Sequence, residues 1–131
     1  MVNYHKANQW LHFQVSGQGP YFGQSVWFRK YHSEMIPSAQ ERYKNEVKRV
    51  SAVLDSHLKS TGQPFLTGDK CTYADLAFVP WMNMLGSMVN DKEDNDKMNE
   101  ELPNYKKWRD ALFAREAVKT ALDKREQAIA Q

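Results

Sequence analysis

Residues 16–24, Ser-Gly-Gln-Gly-Pro-Tyr-Phe-Gly-Gln, place Gly17, Gly19 and Gly23 close enough together to suggest a loop that cradles phosphate. A dinucleotide loop reads G-x-G-x-x-G, follows a strand, and aims the first N–H groups of a helix at the pyrophosphate. Here the spacing is one residue too long, and Pro20 removes a donor from inside the loop. Upstream, Ala7, Trp10, Leu11, Gln14 and Val15 fall at helical spacing without strand-like alternation. No Gly-Lys-Ser or Gly-Lys-Thr occurs, so the P-loop alternative fails as well. The glycines are therefore read as a glycine–proline bend in a helix that then resumes.

The other reactive side chains form no constellation. His5, His12, His32 and His57 are scattered, with no H-x-x-x-H spacing and no cysteine partner, so no metal site is expected. Cys71 is the single cysteine, which rules out an internal disulfide and points to a reducing compartment. It precedes a helix start, in a position to staple against Leu76, where a thiol is partly buried and inert rather than nucleophilic. No Ser/His/Asp arrangement can be argued, and no catalytic residue is assigned.

The elements that must position these residues are almost all helical. Between Pro37 and Ser60, Tyr43, Val47, Val50, Leu54 and Leu58 repeat at intervals of three and four, which predicts a long amphipathic helix. Gly62 is placed to end it in a left-handed cap, with Pro64 beyond. Thr72 and Asp75 have the form of a capping box: each side chain reaches for the other residue's N–H. The segment that follows, from Leu76 to Val89, is apolar on nearly every face and predicts a helix through the centre of the domain, bent at Pro80. Residues 90–101 are polar and mostly acidic and read as an exposed connection. Pro103 opens a helix with Tyr105, Trp108 and Leu112 on one face. A last amphipathic stretch carries Val118, Leu122, Arg125 and Ile129. No strand is expected, and the fold class is all-α.

At 131 residues the chain has the length of one domain, 1–131, large enough for a real core. Eighteen basic and 16 acidic residues are spread along it, so no basic stripe for nucleic acid is present. It begins without a basic-then-apolar leader, and no apolar run is long enough to cross a bilayer. A cytoplasmic protein without membrane or nucleic-acid partners is expected. Sixteen aromatic residues (four Trp, six Tyr, six Phe) suggest a core or cleft built on rings.

"QPFLTGDKCTYADLAFVPW" resembles the capping-box segment of the C-terminal helical domain of cytosolic glutathione transferases, where a Ser/Thr-x-x-Asp box begins the buried central helix. "NQWLHFQVSGQGPYFGQSVWFRKYH" and "ERYKNEVKRV" are similar to a narrower branch, the bacterial nu-class enzymes and their fungal nitrogen-regulator-like relatives. "LPNYKKWRDALFAREAVKTAL" resembles the closing helices, with Glu116 where the family often has a proline. The resemblance implies a helical bundle that supplies a hydrophobic substrate site and dimer contacts. It implies glutathione as cosubstrate, with an apolar electrophile or a disulfide as the other reactant.

By the same resemblance, the bent first helix lines the cleft. Phe13, Tyr21, Phe22 and Trp81 are the candidate lining residues, each open to an ordinary core role instead. Arg42, in the Glu-Arg-Tyr motif, corresponds to an arginine near the glutathione of the partner subunit; the alternative is a solvated helix-face charge. The thioredoxin-like domain that carries the catalytic residue and the γ-glutamyl site is expected to be missing from this chain, which alone should be inactive. A homo-oligomer is expected. The competing expectation is a stand-alone helical module that binds proteins without catalysis.

Overall fold

The computed structural model describes residues 2–131. It is built from helices, with no strand among the described residues; Phe65 and Gly68 alone pair as an isolated bridge across a tight turn. The first long helical arm comprises α1 (Val2–Phe13), a π-turn over Gln14–Gln18, α2 (Gly19–Val26), and a second π-turn over Trp27–Tyr31. There follow α3 (Pro37–Thr61), α4 (Tyr73–Leu76), α5 (Val79–Met82), α6 (Lys92–Glu101), α7 (Pro103–Phe113) and α8 (Glu116–Ala130).

The arm does not break where the glycines and proline lie. Gly17, Gly19 and Gly23 keep negative φ, and Gly19 sits at φ −54, ψ −59. A proline lacks the N–H for an α-helical bond, and its ring crowds the carbonyl four residues back. Widening the helix solves both problems: the Gly19 N–H reaches the carbonyl of Gln14, five residues back. The helix therefore continues through Pro20 by way of a π-turn.

α3 follows the sequence pattern closely. Pro37 occupies its first turn, and Val47, Val50, Leu54 and Leu58 are buried between α2 and α7, with Tyr43 half-buried. Gly62 ends it at φ 63, donating to Leu58 O at 3.0 Å. α7 buries Tyr105, Trp108 and Leu112 against α3. Phe78 meets Trp108 edge-on, with ring centroids 5.6 Å apart, in the middle of the core.

Two segments differ from expectation. The central stretch is buried along one side, through Ala74, Phe78, Val79, Met82 and Val89, but it is not one continuous helix. α4 and α5 are single turns, and Pro80 in the first turn of α5 cannot donate to the turn before it. Beyond Met82 the chain tightens, with Met84 N–H bonded to Trp81 O at 3.1 Å and Leu85 N–H to Met82 O at 3.2 Å, both three residues back. Cys71 packs against the core while Leu76 stays 39% exposed, leaving little apolar area for a staple between them. The second difference is α6, which occupies most of the polar connection. Its first turn carries Glu93 and Asp94, favourable to the helix dipole, and Lys92–Asp96 and Glu93–Lys97 pair at 2.6 and 3.1 Å. One buried residue, Met98, anchors it.

Candidate functional site

The capping box is complete, and its carboxylate does more than cap. Asp75 is fully buried. Its Oδ2 accepts from the Thr72 N–H at 2.9 Å, while Oδ1 accepts from the Leu66 N–H at 2.9 Å and from the Trp108 indole N–H at 2.8 Å. The short helix α4, the preceding loop and α7 thus meet at one side chain. Thr72 Oγ1 also accepts from the Ala74 N–H at 3.2 Å. Cys71, one residue before the box, has its thiol pushed up by partial burial and by the Asp75 charge, against a smaller opposing effect of Arg115. A raised thiol is a poor nucleophile near neutral pH, in keeping with the inert role expected of it.

The four candidate aromatics occupy different surroundings. Phe13 is half-buried, edge-on to Trp10 at 5.5 Å and 6.4 Å from Phe78. Tyr21 is half-buried beside Tyr43 at 6.4 Å, with the Arg49 guanidinium 5.7 Å from its ring. Trp81 is half-buried, its indole edge lying along α2. Phe22 is 1% exposed and packs in the core of this structure, one of the two roles open to it. A separate apolar groove of about 370 Å³ lies between the α4–α5 segment and α8, lined by Leu76, Val79, Pro80, Val118, Leu122 and the stem of Arg125 among others. None of the four aromatics lines it.

Trp81 packs beside two of the glycines. A Cβ on Gly19 would sit 3.7 Å from Trp81 Nε1, and one on Gly23 would sit 3.4 Å from Trp81 Cη2. The indole's edge thus runs close along the bare backbone of α2. Gly23→Ala is expected to fit, since 3.4 Å is a close but ordinary contact and alanine gains about 1 kcal/mol of helix propensity. Gly23→Leu should displace the indole and cost about 1–3 kcal/mol. Tryptophan emission and thermal midpoints of the two variants check this; an unchanged spectrum for Gly23→Leu would place the indole elsewhere.

Gln14, already placed on the helical stripe, and Gln18, which pattern reading passed over, hold the π-turn in place. The buried Gln18 donates through Nε2 to Phe78 O at 3.0 Å, and its Oε1 accepts from Gln14 Nε2 at 3.1 Å. Because a carbonyl can only accept, the first bond fixes the orientation of both carboxamides. The available signal was their spacing of four residues, continuing the stripe of Ala7 and Trp10. Arg42 is exposed, 5.7 Å from the ring of Tyr43, and makes no ion pair among the described residues. Among the described residues, no cluster of three metal-ligating side chains occurs and no helix is long and apolar enough to cross a membrane.

Residues 20–116 match the family described as the glutathione S-transferase C-terminal domain. A glutathione S-transferase-like protein of Aspergillus terreus is 47% identical over 122 residues, covering 88% of this chain and 53% of that protein. The transcriptional regulator URE2 of Saccharomyces cerevisiae is 34% identical over 148 residues, covering 89% of this chain and 40% of that protein. Among solved structures, a glutathione transferase of Phanerochaete chrysosporium in complex with oxidized glutathione superposes with a TM-score of 0.87. It is 42% identical, and the match covers 97% of this chain and 56% of that one. The chain therefore spans about half the length of such relatives, or less.

Proposed function

The chain belongs to the glutathione S-transferase C-terminal domain family, and from that premise we propose that it is the helical half of a glutathione transferase. In this reading a thioredoxin-like half, outside residues 1–131, holds glutathione and stabilises its thiolate. That thiolate attacks either an apolar electrophile, forming a C–S bond as the leaving group departs, or a disulfide, releasing the second thiolate. The helical half contributes the apolar wall of the electrophile site and part of a homodimer interface, in a cytoplasmic enzyme. The observation that carries the reading is the likeness, over nearly the whole chain, to a transferase solved with oxidized glutathione.

Phe13, Tyr21 and Trp81 keep part of their ring surface open and suit the wall, with Phe22 packed behind them. The groove beside α8, with Leu76 exposed on its rim, is apolar surface suited to packing against the other half. Arg42 has an uncommitted guanidinium, free to meet a carboxylate of glutathione held by the partner subunit. A second reading has its own support: the likeness to a transcriptional regulator suits a helical module that binds proteins without catalysis.

The test separates the halves. The purified 131-residue chain should leave conjugation of glutathione to an aromatic electrophile at its uncatalysed rate. The chain joined to the thioredoxin-like half of a fungal relative should accelerate it. In that two-domain protein, Arg42→Ala should raise the Michaelis constant for glutathione about tenfold, the size of one lost charge-assisted hydrogen bond, at an unchanged melting temperature. Turnover by the isolated chain would overturn the division of labour. Inactivity of the joined protein would favour the interaction module. Unchanged glutathione kinetics in the variant would leave Arg42 a surface charge.

A further inference from the structure

Two hydrogen-bond donors meet beside Gly19, where the start of α2 passes the α5 segment. The position that a Cβ on Gly19 would take lies 3.7 Å from Trp81 Nε1 and 3.8 Å from Gln14 Nε2. Both nitrogens are therefore within reach of a single ligand atom placed next to that glycine. Gln14, Gly19 and Trp81 are each half-buried, so surface remains for such a ligand to touch.

Both donors have an N–H to give. The Trp108 indole is committed to Asp75. The Trp81 indole has no acceptor among the described residues, and its nitrogen is not one of the atoms sealed from solvent. Gln14 is oriented by its neighbour: Gln18 donates to Phe78 O at 3.0 Å, which leaves Gln18 Oε1 to accept from Gln14 Nε2 at 3.1 Å. A carboxamide nitrogen carries two hydrogens, so one Gln14 N–H stays available.

The chemistry of the pair selects its ligand. Two donors call for an acceptor atom, and neither donor is charged. A carboxylate brought between them would lose its hydration without gaining a counter-charge from either one. A carbonyl or nitro oxygen has far less hydration to lose. The indole itself offers aromatic surface beside the donors, which suits a ring carrying that oxygen. A ring with a hydrocarbon group of the same shape would strip both N–H groups of water and give them no acceptor, so the site should reject it.

We propose that Trp81 Nε1–H and Gln14 Nε2–H are specificity-determining donors that hold the carbonyl or nitro oxygen of an aromatic electrophile. That the ligand is the electrophile rests on the transferase reading. That the pair takes a neutral oxygen does not, and it is measured without turnover.

Three probes are titrated into the ¹⁵N-labelled 131-residue chain: acetophenone; α-methylstyrene, which has the same shape with CH2 in place of the oxygen; and benzoate. The Trp81 indole N–H and the Gln14 side-chain N–H signals are followed by NMR. Acetophenone should shift both saturably, and α-methylstyrene and benzoate should bind at least about tenfold more weakly, the size of a lost hydrogen bond. Trp81→Phe and Gln14→Met should each weaken acetophenone about tenfold and leave α-methylstyrene unchanged. In the chain joined to a thioredoxin-like half, Trp81→Phe should lower kcat/KM for a nitro-activated aryl halide about tenfold more than for a benzyl halide without oxygen. Equal binding of acetophenone and α-methylstyrene would overturn the proposal whatever the joined protein does. So would tighter binding of benzoate, or variants that weaken both neutral probes alike. Discrimination in the chain beside an inactive joined protein would overturn the transferase reading and leave the oxygen site standing.

Discussion

Asp75→Ala is expected to lower the stability of the domain by about 3–5 kcal/mol, enough to unfold much of a marginally stable population. The ordinary loss of an N-cap partner is about 1 kcal/mol. The larger figure comes from what the carboxylate leaves behind. The Leu66 N–H and the Trp108 indole N–H would both lose their acceptor in places that water does not reach, since Leu66 and Trp108 are each 2% exposed. Each stranded donor costs about 1–3 kcal/mol. Trp108→Phe removes one of those donors together with its need, so Asp75→Ala should cost less in that background than in the wild type. Denaturant midpoints at constant slope for the four proteins of this cycle measure the coupling. A loss near 1 kcal/mol for Asp75→Ala, with no coupling to Trp108, would reduce the residue to a local cap.

The second large effect belongs to Asp55, which sits on α3 and caps a helix fifty positions away. Its Oδ1 accepts from the Tyr105 N–H at 2.8 Å, and its Oδ2 lies 3.4 Å from Asn104 Nδ2. At the N-cap position of α7 stands Leu102, whose side chain can accept nothing. Asp55 therefore supplies from another element what a local serine or aspartate supplies elsewhere. Asp55→Ala is expected to cost about 2–3 kcal/mol, and Asp55→Asn clearly less because one acceptor oxygen remains. Urea unfolding of both variants checks the order; equal losses would mean that charge, not acceptance of the Tyr105 N–H, is what matters. Tyr105 and Trp108 lie one turn apart, so the alanine variants at Asp55 and Asp75 should not be additive.

What could be read from the sequence was whatever is written locally. The apolar face of α3, its glycine cap, and the triad Tyr105, Trp108 and Leu112 follow from spacing alone. The Thr72–Asp75 box was legible too, but its carboxylate's other partners were not, since Leu66 and Trp108 lie 9 and 33 positions away. α6 was missed because hydrophobic periodicity is nearly absent from it: charge pairs and Met98 alone hold a segment whose composition reads as loop. The glycines were recognised as geometric, not phosphate-binding, yet their partner Trp81 could not be inferred from their own neighbourhood. Of the candidate wall, aromatic identity was plain, but nothing in the spacing of Tyr21 and Phe22 distinguishes a half-open ring from a buried one.

The buried side-chain ties bear on how the chain assembles. Gln18 reaches Phe78 across 60 positions, Ser25 reaches Val89 across 64, and Asp55 reaches Tyr105 across 50. Helices such as α3 can propagate within about a microsecond from local information. These ties must wait until distant segments have found one another. Changes at Gln18 or Ser25 should accordingly accelerate unfolding while leaving the refolding rate nearly untouched, the behaviour of contacts made after the rate-limiting barrier. The lifetime of the native state would then be governed by a few buried polar side chains, and the speed of reaching it by the amphipathic helices.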